Sequence, residues 1–181
     1  RMLYRMEAVD VGQFYHAAIE QFSTYLLEQQ ISWQQLDAQQ VRDIMNRIVE
    51  QLAPAMQNEI LLSTGRYRYL QHRLQKTLER SALLLLEHGQ KGDFVPVALE
   101  ADFGGKNSKL PRWDIQLQDG TKLSLQGRID RIERATQGDT SYLRIIDFKT
   151  GTQGLSLLDI YYGLKIQLLT YLQVALQYYE K

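Results

Sequence analysis

Gly127-Arg128-Ile129-Asp130-Arg131 and Ile145-Ile146-Asp147-Phe148-Lys149 are two strand-like stretches separated by Gly138-Asp139. Gly-Asp between two β-prone runs predicts a tight hairpin turn. With a two-residue turn there, the residue numbers of antiparallel partners add to 277, which sets Asp130 opposite Asp147. Opposed side chains on one face of a sheet lie ~4.5–5.5 Å apart. Two carboxylates that close repel, unless a cation sits between them or a proton is shared. Lys149 follows Asp147 by two residues, so strand alternation points it to the same face. Two readings fit this face. It offers hard oxygen ligands suited to Mg²⁺ together with an ammonium, or it is a solvated hairpin face with a cross-strand Asp–Lys pair. A one-residue slip in register would separate the carboxylates.

Outward from the hairpin, the chain is helical before and after. Apolar residues at Phe14, Tyr15, Ala18, Ile19, Phe22, Tyr25 and Leu26 predict a helix over 12–29. Val41, Ile44, Ile48 and Leu52 predict a second, ended near Pro54. Tyr67, Leu70, Leu74, Leu78, Ala82 and Leu85 predict a third, closed by Gly89. The composition then changes: Val95, Val97 and Leu99 alternate within a strand over 94–103, and Asp119-Gly120 marks a turn between strands over 113–117 and 122–134. A further strand is expected over 141–149. Leu158, Tyr161, Leu164, Leu168, Tyr171, Leu172 and Ala175 then return to helical spacing. The expected architecture is mixed α/β (α+β): one domain over 1–181, helical over 1–90, with a strand meander and a final helix over 91–181.

Composition narrows the function. In 181 residues, 21 basic and 21 acidic side chains cancel, so no general basic coat exists to bind a polyanion. The longest wholly apolar run, Ala82 to Leu86, is far short of the ~20 residues of a membrane span. The absence of cysteine excludes a disulfide scaffold and a zinc–thiolate site within this segment. It also fits a reducing compartment. The chain begins at Arg1 and stops inside a helical pattern, so it is expected to be a piece of a longer protein.

Other candidates are individually ambiguous. His16 lies beside the apolar stripe of its helix, as a ligand or as a core-edge residue; His72 and His88 have less to commend them. Glu100 alternates away from Val95, Val97 and Leu99, as a further carboxylate of the site or as the wet side of an edge strand. Gln167 and Tyr171 share a helix face, Tyr171 continuing the apolar stripe. Arg66, Arg68, Arg73, Lys76 and Arg80 form a charged face, solvated by default and a phosphate track otherwise. Phe103-Gly-Gly-Lys106-Asn-Ser108 lacks the spacing of a phosphate loop and reads as a turn.

Taken in order, four segments resemble the RecB-like branch of the PD-(D/E)xK nucleases. They are Val11-Gly-Gln-Phe-Tyr-His16-Ala-Ala-Ile-Glu20, Gly127-Arg-Ile-Asp130-Arg, Ile145-Ile-Asp147-Phe-Lys149-Thr-Gly, and Lys165-Ile-Gln167-Leu-Leu-Thr-Tyr171-Leu. Pro96-Val-Ala-Leu-Glu100-Ala-Asp-Phe-Gly also matches the pattern. Within that branch the order is similar to the nuclease domains of bacterial helicase–nuclease complexes, over about residues 9–176, with 31–90 aligned loosely. The resemblance implies a restriction-endonuclease-like core, a central sheet flanked by helices, that cleaves DNA phosphodiesters. It implies His16, Asp130, Asp147 and the Phe148 carbonyl as ligands of Mg²⁺, with Mn²⁺ able to substitute. Lys149 would be the catalytic lysine, Gln167 and Tyr171 would line the site on the DNA side, and Glu100 has no definite task. DNA, single-stranded in the site, and the companion A-type subunit of a helicase–nuclease are the implied partners, in the bacterial cytoplasm and not at a membrane. The implied function is an exonuclease domain acting in double-strand-break repair. A catalytically silent module that binds single-stranded DNA or a companion protein of the complex is the rival reading, and a phosphodiesterase for RNA or defence-related DNA is a third. Relatives of this kind carry a four-cysteine iron–sulfur cluster whose cysteines are not in this segment.

Overall fold

Phe14, Ala18, Ile19, Phe22 and Leu26 form the buried stripe of the first helix, α1 (Ala8–Glu28). The computed structural model describes residues 8–57, 65–149 and 166–179. The chain divides at Gly92/Asp93 into two units, a helical one and a sheet-bearing one.

In the helical unit, α1 packs against α2 (Ala38–Gln57) and α3 (Gly65–Gln90). Val41, Met45, Ile48 and Val49 of α2 are buried, as are Leu74, Leu78 and Ala82 of α3. Side chains as fully enclosed as Phe22 and Leu78, both 0% exposed, each contribute ~1.5–3 kcal/mol. Asp37 caps α2: its Oδ1 accepts the Gln39 and Gln40 amide hydrogens, both at 2.8 Å, while Gln40 Oε1 accepts from the Asp37 amide at 2.9 Å.

Two helix ends differ from the sequence expectation. Pro54 does not stop α2, which continues to Gln57. Proline withholds one amide from the ladder, and the carbonyl it orphans belongs to Glu50, on an exposed position that water reaches. Gly89 does not close α3 but lies inside it, where a Cβ would come within 2.3 Å of the Trp33 ring. The glycine is there for close approach. Trp33 packs in turn on Phe22, with ring centroids 6.2 Å apart.

The second unit holds β1 (Val95–Phe103), β2 (Trp113–Gln116), β3 (Lys122–Leu125), β4 (Gly127–Gln137), β5 (Thr140–Ile146) and α4 (Gln167–Tyr179). The strands form an antiparallel sheet of order β1-β4-β5 and a separate β2-β3 hairpin. The continuous strand expected over 122–134 is therefore two strands in two sheets. The break falls at Gln126-Gly127, where the Phe103 ring fills the space of a Gly127 side chain, 2.9 Å from a built Cβ. The meander is thus interrupted by a hairpin inserted between the neighbours β1 and β4. Phe103, Leu110, Ile129, Ile132, Tyr171, Val174 and Ala175 make the core.

The 138–139 turn does what its sequence predicts. Gln137 pairs with Thr140 and Arg131 with Ile146, a register in which partner numbers add to 277. β5 nevertheless ends at Ile146, so 147–149 leave the ladder instead of prolonging the strand. The sequence-predicted helix over 158–165 lies outside the described residues.

Candidate metal centre

β4 alternates Arg128 and Asp130 on one face with Ile129 and Arg131 on the other. Its partner β1 sets Asp102 against Arg128, Ala101 against Ile129 and Leu99 against Arg131. Glu100 lies between the last two pairs, across from Asp130. A carboxylate oxygen of Glu100 and one of Asp130 lie within 4.8 Å of each other. The Glu100 backbone is left-handed, with φ 44°. A non-glycine residue in that region costs on the order of 1–3 kcal/mol, a cost concentrated at functional sites.

Donors surround these carboxylates. The Phe148 amide donates to Asp130 Oδ2 at 2.7 Å, so the chain leaving β5 is anchored on the β4 carboxylate. Arg128 donates through Nε to Asp102 Oδ1 at 2.8 Å and through Nη2 to Oδ2 at 3.4 Å, and its Nη1 lies 3.8 Å from Glu100 Oε2. The hydrogen bond from Arg128 holds the Asp102 carboxyl below the ordinary aspartate range. Lys149 Nζ stands 2.9 Å from Asp147 Oδ2, with Asp147 9% and Lys149 40% exposed.

Of the residues singled out from sequence, Asp130, Asp147, Phe148 and Lys149 are tied together as the crossover from β5: Phe148 to Asp130, and Lys149 to Asp147. Glu100 is brought to Asp130, and Asp147 does not join that pair within the same spacing. His16 is half-buried on α1 of the helical unit. Gln167 donates to the Tyr171 hydroxyl at 2.6 Å, and the Tyr171 ring stands edge-on to Phe103 at 5.8 Å, in the core of its unit. Of the basic series on α3, Lys76 pairs with Glu79 at 3.0 Å; the Arg66 and Arg68 side chains lie outside the described residues.

Sequence reasoning passed over Asp102 and Arg128. The available signal was charge at alternate positions, Glu100 with Asp102 and Arg128 with Asp130, facing each other once β1 is paired with β4. It also passed over a triad around the buried Glu133 on the opposite face of β4. Arg131 Nε donates to Glu133 Oε1 at 2.7 Å and Arg144 Nε to Glu133 Oε2 at 2.6 Å. Arg131 is 0% exposed: burial pushes its guanidinium below the ordinary arginine value, and the Glu133 carboxylate pulls it back up.

The donor set fits a divalent cation. Two oxygens on one Mg²⁺, each at ~2.1 Å, sit within ~4.2 Å of each other. Glu100 and Asp130 need little movement to reach that span. Around the site, the carboxylates of Glu100, Asp102, Asp130 and Asp147 face the cations Arg128 and Lys149, leaving two negative charges for an ion to balance.

The sequence profile of the PD-(D/E)XK nuclease superfamily matches residues 2–181. The chain is 47% identical over 178 residues to the B-type subunit of an ATP-dependent helicase/deoxyribonuclease from Desulforamulus reducens, covering 98% of this chain and 15% of that protein. It is 46% identical over 178 residues to the like-named protein of Pelotomaculum thermopropionicum, with the same coverage. With that of Geobacillus kaustophilus it shares 41% identity over 181 residues, 100% of this chain and 15% of the relative. The chain thus spans about 15% of the length of these relatives.

Proposed function

The chain belongs to the PD-(D/E)XK nuclease superfamily, and from that premise we propose that it is a Mg²⁺-dependent DNA nuclease domain, working as an exonuclease within a helicase–nuclease complex. The observation that carries this reading is the opposition of Glu100 and Asp130 across β1 and β4, beside the Asp147–Lys149 pair. Bringing like charges together on a strained backbone makes sense where a cation and a phosphate are to be received. The names of the relatives, each the B-type member of a helicase/deoxyribonuclease, support DNA as substrate and an A-type member as partner; work in double-strand-break repair in the bacterial cytoplasm is proposed with them. Among the described residues no helix is long and apolar enough to cross a membrane.

Asp130, Asp147, the Phe148 carbonyl and His16 are the proposed metal ligands, with Glu100 as a further carboxylate next to Asp130. A divalent ion held there supplies charge neutralisation and a more acidic bound water. Asp130 accepts the Phe148 amide hydrogen at one carboxylate oxygen, which helps to fix the rotation of its carboxylate at the site. Lys149, steadied by Asp147, orients the attacking water in line with the phosphorus and offsets charge building on the phosphate. Gln167 and Tyr171, joined side chain to side chain along one face of α4, are proposed to line the site on the DNA side.

The test is cleavage of end-labelled single-stranded DNA by the chain in Mg²⁺ or Mn²⁺, beside Asp147→Ala and an EDTA control. Loss of cleavage in both controls supports the nuclease. DNA binding that is indifferent to Asp147→Ala, with no metal-dependent cleavage, turns the reading into a silent binding module. Comparing DNA with RNA of the same sequence fixes the substrate class.

A further inference from the structure

We propose that Arg128 is the phosphate-binding residue of this site: steered by Asp102, it grips a phosphodiester of single-stranded DNA beside the Glu100–Asp130 carboxylates. The inference rests on the nuclease reading for its substrate and on the ion-pair geometry for its residue. A phosphodiester next to the reacting one, carrying its own charge, is repelled by Glu100, Asp130 and Asp147 and is favoured by a cation at their edge. Lys149, beside Asp147 at 2.9 Å, is already assigned to the attacking water and the reacting phosphate, so the flanking backbone needs a second cation. Arg131 is wholly buried, and Arg144 is bound to Glu133 with its guanidinium 4.4 Å from the Phe94 ring centroid. Arg128 is different: its side chain is 58% exposed, it shares a face with Asp130, and it lies at the edge of the carboxylate pair.

Asp102 explains how the guanidinium is held. It takes the Nε and Nη2 edge, at 2.8 and 3.4 Å, which directs Nη1 toward Glu100 at 3.8 Å. Asp102 is itself 55% exposed, and an ion pair that open to water contributes little to stability. Such a pair orients a side chain at small cost to its release. A guanidinium so oriented matches two phosphate oxygens in a way an ammonium cannot.

The proposal separates metal binding from DNA binding. Arg128→Gln removes a positive charge beside the carboxylates, which cannot weaken a cation there by charge, while it removes a phosphate contact. The experiment titrates a fluorescein-labelled oligothymidylate into the chain in Ca²⁺ at several salt concentrations, and follows Mn²⁺ binding separately by electron paramagnetic resonance. Arg128→Gln should weaken the oligonucleotide about tenfold and flatten the log–log salt slope by ~0.7, the value of one phosphate on a single strand. Mn²⁺ should bind at least as tightly as to wild type. Arg128→Lys should restore the slope but only part of the affinity, and Asp102→Asn should keep the slope while lowering affinity.

An unchanged slope and affinity in Arg128→Gln overturn the proposal, as does a parallel loss of Mn²⁺ and DNA, which is the mark of a merely structural residue. Absence of DNA binding by wild type also overturns it. If wild type binds DNA with the Arg128-dependent slope but no Mn²⁺, the phosphate site stands and the metal-nuclease reading falls.

Discussion

Asp130 and Arg131 are neighbours on β4, yet the two faces they serve are organised by opposite rules. On the Arg131 face, unlike charges are brought together and enclosed: Glu133 lies between two guanidiniums and is 2% exposed. On the Asp130 face, like charges oppose each other across β1 and β4, and one of them, Glu100, has φ 44°. The first arrangement is self-sufficient. The second is poised for a cation. Packing and function are thus separated by the two-residue period of one strand.

The comparison can be broken most forcefully on the Asp130 face. Asp130→Asn or Asp147→Ala should lower cleavage on the order of a thousandfold, the scale of losing a preorganised electrostatic contact, with a melting temperature close to wild type. A mutant that cuts like wild type removes the site from this face. Next in size is the other face: Glu133→Ala leaves the buried Arg131 without its carboxylate and should cost ~3–5 kcal/mol in urea unfolding. A cost under ~1 kcal/mol, the size of a surface pair, would show that the triad is solvated.

Smaller effects sharpen the contrast. Glu100→Gly removes both the like charge and the left-handed strain, so it should stabilise the chain by ~1 kcal/mol while weakening Mn²⁺ binding and cleavage. A destabilised Glu100→Gly would mean that the strain is not where φ places it. The smallest effect is in acid. Asp102 has a carboxyl lowered by Arg128, so the pairing is complete above the ordinary aspartate range and is lost as pH falls through the lowered value. By NMR, the Asp102 carboxyl should titrate below an ordinary aspartate in wild type and move up toward it in Arg128→Gln.

Legibility from sequence followed the range of the interaction. Gly138-Asp139 lies within the hairpin it closes, so its two residues suffice to set the register that pairs Arg131 with Ile146 and their neighbours. Periodicity likewise gave the buried stripe of α1, because Phe14, Ala18 and Phe22 are one turn apart. The encounter of Glu100 with Asp130 has no local cause. It needs β1 to skip the intervening hairpin and pair with β4, and it needs the register shift between Pro96 and Ala98. Gly89 is ambiguous in sequence for a related reason: a glycine that ends a helix and one that admits a tryptophan ring are the same letter until Trp33 is in place.

The hairpin inserted between β1 and β4 has a consequence for the order of assembly. β2-β3 and β4-β5 close through short turns and belong to the microsecond class of events. β1 must find β4 across residues 104–126, a non-local search. Prior closure of β2-β3 shortens the chain to be searched, and each halving of a loop saves ~0.6 kcal/mol of closure entropy. Glu100 and Asp130 therefore meet only when β1 docks on β4. A chain stalled before that docking would have native turns and an intact β4-β5 hairpin, but Glu100 and Asp130 would not be together to hold an ion.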